Sequence, residues 1–308
     1  MTAEKDSLGA NKPTLVVMSW RGGERFARCL ASIAPAIAHF NRIVLSITSD
    51  PHSADMAKAL AFQIDHPSVE VICTGTELPT MQHQAFWVDY LNKSSTRPDE
   101  WIYWLAYDDE VRLTGIEALV DDQGNWPLEQ GTAYFGPWAM RHESAEEIWH
   151  GDPGASLESW TSFPTEGPTV ASVTNWIRGQ LRQPTYMQMS GSVCQFASFL
   201  ELRDGKPRKA GPMRIEMATA ATRVNHTIRE FPSPVSIIYG RSNSDRASYG
   251  KVARKEDIHL MRWLLRYARS EVGAVPDVVG ILTDAATARL SRRPQPAEEW
   301  RVRGVVSP

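Results

Sequence analysis

"WIYWLAYDDEVRLTG" (Trp101–Gly115) begins as an apolar, aromatic run and ends on three consecutive acids, Asp108, Asp109 and Glu110. Its first six residues are continuously apolar rather than alternating, which is the pattern of a strand covered on both faces. Such a strand belongs inside a parallel sheet, and its neighbours should read the same way. They do. "TLVVMS" (Thr14–Ser19), "RIVLSIT" (Arg42–Thr48) and "VEVICT" (Val69–Thr74) are short, β-rich and apolar. Between them lie helical stretches. "ERFARCLASIAPAI" spaces Phe26, Leu30 and Ile33 for one face of a helix, "SADMAKALAFQI" follows Ser53 as N-cap, and "MQHQAFWVDYLNK" leads into the opening run. Strand and helix in alternation predict an α/β fold with a mixed, mostly parallel sheet and helices on both faces.

In sheets of this kind ligands bind beyond the carboxyl ends of the strands. Those ends are Ser19-Trp20-Arg21, Thr48-Ser49-Asp50, Thr74-Gly75-Thr76 and Tyr107-Asp108-Asp109, and they are expected to meet on one edge. The acids after the fourth strand have two readings. One is a solvated or helix-capping turn. The other is a site for Mg²⁺ or Mn²⁺, ions that favour carboxylate oxygens. Thr114 and Glu117 have the spacing of a capping box, so the next helix is expected to start on Thr114 and to leave Asp108 and Asp109 without a capping role.

The second half is less regular. "TAYFGPWAMR" reads as a strand interrupted at Gly136-Pro137. Residues 142–170 form an irregular excursion, "MRIEMATAATRVNHT" a helix and "PVSIIYGRS" a strand. "EDIHLMRWLLRYARSEV" is a basic amphipathic helix in a helical C-terminal extension. The expected division is a polar, disordered 1–12, a core of 13–250 that splits into a nucleotide-binding half (13–120) and an acceptor-side half (121–250), and the extension 251–308.

Composition limits the function classes. With 42% hydrophobic and 22% charged residues and a net charge of −3, the chain is of the soluble globular kind and makes no general demand for nucleic acid. Cys29, Cys73 and Cys194 are too few and too far apart for a disulfide framework or zinc cluster. No apolar run reaches the ~20 residues of a membrane span, and the start lacks the apolar core of a signal peptide, so a cytoplasmic protein is expected. "WRGGERF" is not a dinucleotide fingerprint, no phosphate-loop motif occurs, and "MSGSVC" is not a hydrolase nucleophile elbow. Most of the eleven tryptophans are read as packing, with one or two left to offer a flat face to a sugar ring.

Over about residues 13–250 the chain resembles the family 2 inverting glycosyltransferases of the GT-A fold. The resemblance rests on "VVMSWRGGERFARCLASI", with Cys29-Leu30 and Ser32-Ile33 in the family's helix pattern, on Asp50 in "IVLSITSD", and on "WIYWLAYDDE" at the acidic motif. Ser190-Gly191-Ser192, Glu216 and "IIYGRSNSDRAS" follow in the family's order. It implies transfer of a single sugar from a nucleotide-diphosphate donor to a hydroxyl of a glycan or lipid-linked acceptor, with inversion and a divalent cation, as in polysaccharide biosynthesis. It assigns Asp50 to the base. Ser19, Trp20 and Arg21 fall on the donor, and Arg241 and Ser242 on the diphosphate through a closing loop. Glu216 is the catalytic base, and Asp108 and Asp109 hold the metal. Tyr107 stands where the family has its first aspartate, so the ion would rest mainly on Asp109 with Asp108 assisting. The first turn also departs from the family, with Trp20 and Arg21 for its usual Tyr and Asn.

Two rivals remain. One is a catalytically inactive nucleotide-sugar-binding scaffold or regulator. Another is a nucleotidyltransferase, for which "WRGGERF" is a poor phosphate loop. "HLMRW" (His259–Trp263) is similar to the Q-x-x-R-W motif of processive synthases, but its helical periodicity explains Trp263 as packing. The basic face carrying Arg262, Arg266 and Arg269 would give a peripheral contact with an anionic inner membrane surface, or be a solvated helix face.

Overall fold

The structure is a computed structural model, and it describes residues 11–142, 157–160, 170–172, 190–200, 224–240 and 305–306. Strand β1 (Thr14–Ser19), helix α1 (Gly23–Ile33), β2 (Arg42–Ile47), α2 (Ala54–Asp65), β3 (Val69–Cys73), α3 (Thr80–Lys93) and β4 (Trp101–Ala106) alternate as the sequence predicts. Short elements follow: β5 (Glu110–Val111), α4 (Leu113–Glu117), β6 (Thr132–Tyr134), β7 (Trp138–His142), β8 (Leu157–Trp160), β9 (Val170–Ser172), β10 (Ser192–Gln195), α5 (Phe196–Leu200), β11 (Thr227–Arg229), β12 (Ser236–Gly240) and β13 (Val305–Val306).

Eight strands form one sheet in the order β3-β2-β1-β4-β10-β6-β11-β9. β1 to β4 are parallel, and β10 joins β4 antiparallel. Residues on both sides of position 121 contribute to this sheet. Every residue of β1 is buried, as expected for a strand covered on both faces. Successive side chains point to opposite faces. Leu15 and Val17 join Phe26, Cys29, Leu30 and Ile33 of α1 in the main core, with Tyr103 and Leu105 of β4. On the other face Met18 receives the indole N–H groups of Trp87 and Trp104, at 3.2 and 3.0 Å, and Trp87 meets Phe199 edge-on with ring centroids 5.2 Å apart. α3 and α5 thus cover the face opposite α1, and the mixed sheet has helices on both sides.

A second sheet runs β13-β8-β7-β12-β5. The chain passes into it at the cis Gly136–Pro137 bond, where the sequence placed the interruption. Val305–Val306 pairs antiparallel with β8, a strand within what was expected to be a helical extension. The basic helix expected at 256–272 lies outside the described residues.

One local expectation is corrected. Thr114 is not an N-cap: α4 begins at Leu113, Arg112 precedes it, and no side chain caps it. The start is set by tertiary contacts. The Arg112 N–H donates to the Val235 carbonyl at 2.8 Å, and Gly115 lies so close to Pro234 that a Cβ there would sit 1.7 Å from its carbonyl oxygen. Docking against the 234–236 segment overrides the capping signature.

Candidate functional site

The carboxyl ends of the four parallel strands are in register. Thr48 N–H donates to Ser19 O at 3.0 Å, Thr74 N–H to Ile47 O at 3.1 Å, and Tyr107 N–H to Met18 O at 3.1 Å. The strand order reverses at β1, whose chain neighbour β2 lies on one side and β4 on the other. That reversal opens the crevice in which open α/β sheets bind ligands. Trp20 and Arg21 stand on one side of it, Tyr107 and Asp108 on the other.

The turn after β1 is pinned from below by Asp55, in the first turn of α2. Its carboxylate accepts from Ser19 Oγ at 2.7 Å, from Gly22 N–H at 2.7 Å and from Gly23 N–H at 2.9 Å. Asp55 is 4% exposed. The hydroxyl of Ser19 therefore points inward, and the first amides of α1, the usual anion site of a helix N-terminus, are filled by the protein's own carboxylate. Ser53 caps α2 as expected, accepting from Met56 N–H at 3.2 Å. Asp55 escaped the sequence reading because an acid in a first helical turn is already accounted for by the helix dipole.

Above this root the edge is open. Trp20 is 48% exposed. Arg21 adopts a left-handed backbone, φ 51°, and its guanidinium makes a two-pronged contact with Glu77 at 2.8 and 2.9 Å. It also lies 5.4 Å from the Trp20 ring centroid. The hydrogen bond from Arg21 holds the Glu77 carboxyl below the usual range, and the same bond raises Arg21. Glu77 was not singled out in the sequence, where nothing ties the loop after β3 to the turn after β1. Asp50 is exposed and its Oδ1 accepts from His52 N–H at 2.8 Å, a local turn at the start of α2.

Across the crevice the acids part company. Asp109 is 3% exposed, and its Oδ1 accepts from the Tyr239 backbone N–H of β12 at 3.0 Å. Glu110 pairs with Arg28 at 3.0 Å and accepts from the Tyr239 hydroxyl. Arg28 stacks over the Tyr239 ring with its central carbon 3.7 Å from the centroid, and Arg141 donates to the Tyr239 hydroxyl at 2.9 Å. Burial, then the Glu110 charge, raises the Tyr239 phenol. This partly buried seam ties β5 and β12, neighbours in the second sheet, to α1 through Arg28 and to the turn after β4 through Asp109. Tyr107 is half-buried; burial first, then the charge of Asp108, pushes its phenol up to about 12, while the charge of Arg25 opposes the rise. Burial, followed by the charges of Asp109, Glu110 and Asp108, pushes the Cys29 thiol well up. Cys194 is buried with its thiol pushed up to about 12, and all three cysteines are free.

The expected Mg²⁺ or Mn²⁺ site fits these residues poorly. The sequence reading rested the ion mainly on Asp109, but that carboxylate is buried and holds the Tyr239 amide. Tyr107 offers a phenol instead of a carboxylate, and Glu110 is held by Arg28. Among the described residues no three His, Cys, Asp or Glu side chains are grouped to hold a metal ion. Glu216, Arg241 and Ser242 lie outside the described residues.

No protein-family model matches the chain, and no curated protein matches it. Among solved structures it is similar to TarS of S. aureus (residues 1–349, also solved with UDP), at 9% identity, TM-score 0.45, over 90% of this chain and 80% of that one. It is similar to a mannosyltransferase from Pyrobaculum calidifontis solved with GDP-Man and Mn²⁺, at 13% identity, TM-score 0.43, over 90% of this chain and 75% of the other. A 4-diphosphocytidyl-2C-methyl-D-erythritol synthase aligns at 11% identity, TM-score 0.42, over 79% of this chain and 99% of that one. At such scores the functional reading rests on this chain's own residues. No helix among the described residues is long and apolar enough to cross a membrane.

Proposed function

We propose that the protein is a nucleotide-sugar-dependent glycosyltransferase that binds its donor at the β1/β4 crevice and transfers one sugar, with inversion, to a hydroxyl of a glycan or lipid-linked acceptor. The observation that carries this reading is the sheet order reversing at β1, with the four strand ends in register and an exposed Trp20-Arg21 turn at the reversal. An aromatic face beside a guanidinium suits a nucleotide: Trp20 offers stacking to a base or sugar, and Arg21 can take two phosphate oxygens at once. Asp50, exposed at the end of β2, is the proposed contact to the base or ribose. Ser19 contributes by holding the turn, its hydroxyl donating to Asp55, rather than by touching the donor.

In the transfer step the acceptor oxygen attacks the anomeric carbon. The bond from that carbon to the diphosphate breaks, and the leaving oxygen keeps the electron pair. The hydroxyl proton passes to a base, for which Glu216 is proposed. Arg241 and Ser242 follow β12 directly and are proposed to contact the diphosphate. The peripheral membrane contact proposed for the basic segment 251–269 rests on its charge alone.

The test is a screen of nucleotide sugars by thermal stabilisation and by release of the nucleoside diphosphate. Stabilisation by one nucleotide series with turnover on an acceptor supports transfer. The absence of any nucleotide binding removes the reading. A second reading, a nucleotide-sugar-binding scaffold, is favoured by the Tyr107 phenol and the buried Asp109. Saturable donor binding with no product across an acceptor panel would select it.

A further inference from the structure

We infer that donor binding at this edge is independent of a divalent cation: Asp109 is a structural clamp, and Arg21, parked on Glu77, supplies the positive charge that meets the diphosphate. The inference rests on the nucleotide-sugar reading and specifies how that site manages charge.

The acids of the run have been put to other uses. Asp109 is buried and holds β12 through the Tyr239 amide at 3.0 Å. Glu110 is held between Arg28, at 3.0 Å, and the Tyr239 hydroxyl. Tyr107 is neutral at the position where a further carboxylate would be needed. Asp108 by itself is a single carboxylate where the resemblance implies a pair. Withdrawing Asp109 from the seam to bind an ion would strand a buried backbone N–H in the strand that leads to Arg241.

The compensating charge is already in place on the opposite wall. The amides at the start of α1 cannot serve, because Asp55 fills them. Arg21 can. Its fork faces two carboxylate oxygens at 2.8 and 2.9 Å, the same geometry that two oxygens of a diphosphate present. Both partners are exposed, at 69% and 45% of their side-chain surface, so exchange of Glu77 for phosphate breaks only a solvent-screened pair. Arg21 has a left-handed backbone, and its exposed side chain lies beside the Trp20 ring.

The experiment is calorimetric titration of the full chain with UDP, GDP, ADP and CDP, once in EDTA and once with Mn²⁺. Melting curves accompany it for wild type, R21Q, E77Q and D109N. At least one nucleoside diphosphate is expected to bind with the same affinity in both buffers, to about twofold. R21Q should weaken that binding about tenfold or more in either buffer, with an unchanged melting temperature. E77Q should bind at least as tightly as wild type. D109N should melt earlier without acquiring a Mn²⁺ requirement. Binding that occurs only with Mn²⁺ overturns the inference and leaves the nucleotide reading standing. So does a Mn²⁺-dependent component that D109N loses while melting like wild type. Absence of binding for every diphosphate in both buffers overturns the two together.

Discussion

The two walls of the crevice are built on opposite principles. On the β4 side, the seam centres on buried Asp109 and Tyr239 with half-buried Glu110, Arg28 and Arg141 around them, and its tyrosine makes four polar or stacking contacts at once. On the β1 side, Trp20, Arg21 and Glu77 stand in solvent and touch one another through a pair that water screens. The root of that side, with Ser19, Gly22 and Asp55, is buried. The difference teaches that an acidic motif at a strand end need not be the part of a site that meets ligand. Here the acids hold the scaffold, and the exchangeable charge is a cation on the other wall.

The comparison breaks most readily at its roots. Asp55→Ala removes three hydrogen bonds and leaves the amides of Gly22 and Gly23 without their acceptor. At about 1–3 kcal/mol for each stranded N–H, a loss of about 4 kcal/mol is expected, read as the midpoint shift in urea. A loss below about 1 kcal/mol would mean that the β1 wall does not depend on this carboxylate. Asp109→Ala strands one buried amide and removes a charged acceptor, with an expected loss of about 3 kcal/mol. If the wild-type melting temperature persists, the seam is not the rigid wall described.

A smaller effect tests the underside of the open wall. His83 is 2% exposed beneath β2, with Nε2 2.8 Å from Ser46 Oγ, and burial lowers its imidazole to about 4 from an ordinary 6.5. The unfolded chain therefore binds a proton between those values that the folded chain refuses. Stability falls as the pH drops through that window, flattens below it, and is fully present above the unfolded value. Between pH 6.5 and pH 5 the loss attributable to His83 is about 2 kcal/mol. Urea midpoints across that range, compared with His83→Gln, measure it; an equal slope in the variant would show that this histidine is hydrated and that the wall is loose throughout.

The sequence made the sheet legible because buried parallel strands leave an unmistakable trace. β1 is "TLVVMS" to the residue, and the reading of four strand ends on one edge needed only their order. The short strands β9, β10 and β11, of three or four residues, carry no such period, and Thr227, where β11 starts, was the last residue of an expected helix. The site was legible in position but not in role. Asp108 and Asp109 are adjacent and chemically alike; only the approach of Tyr239, 130 residues later, separates a buried clamp from its neighbour. Thr114 failed as a cap for the same reason, since contacts with Pro234 and Val235 decide where α4 starts. Local pattern reports periodicity and capping potential; it is silent on which distant backbone amide will claim a carboxylate.

The smallest structural effect is expected where the functional one is large. Glu77→Gln and Arg21→Gln each break the two-pronged surface contact, yet neither should move the melting temperature, because exposed pairs are screened and their long side chains regain freedom when released. Their effects on nucleotide binding should have opposite signs. Removing Glu77 takes away the carboxylate that competes with phosphate for the guanidinium. Removing Arg21 takes away the guanidinium itself. Raising ionic strength should then weaken nucleoside diphosphate binding to wild type while leaving the residual binding of Arg21→Gln less affected, since one charged contact has gone. If both variants weaken binding alike, the pair acts as a fixed brace and the β1 wall is as structural as the seam. Opposite signs, with unchanged melting, would show that this wall is held ready to exchange its partner.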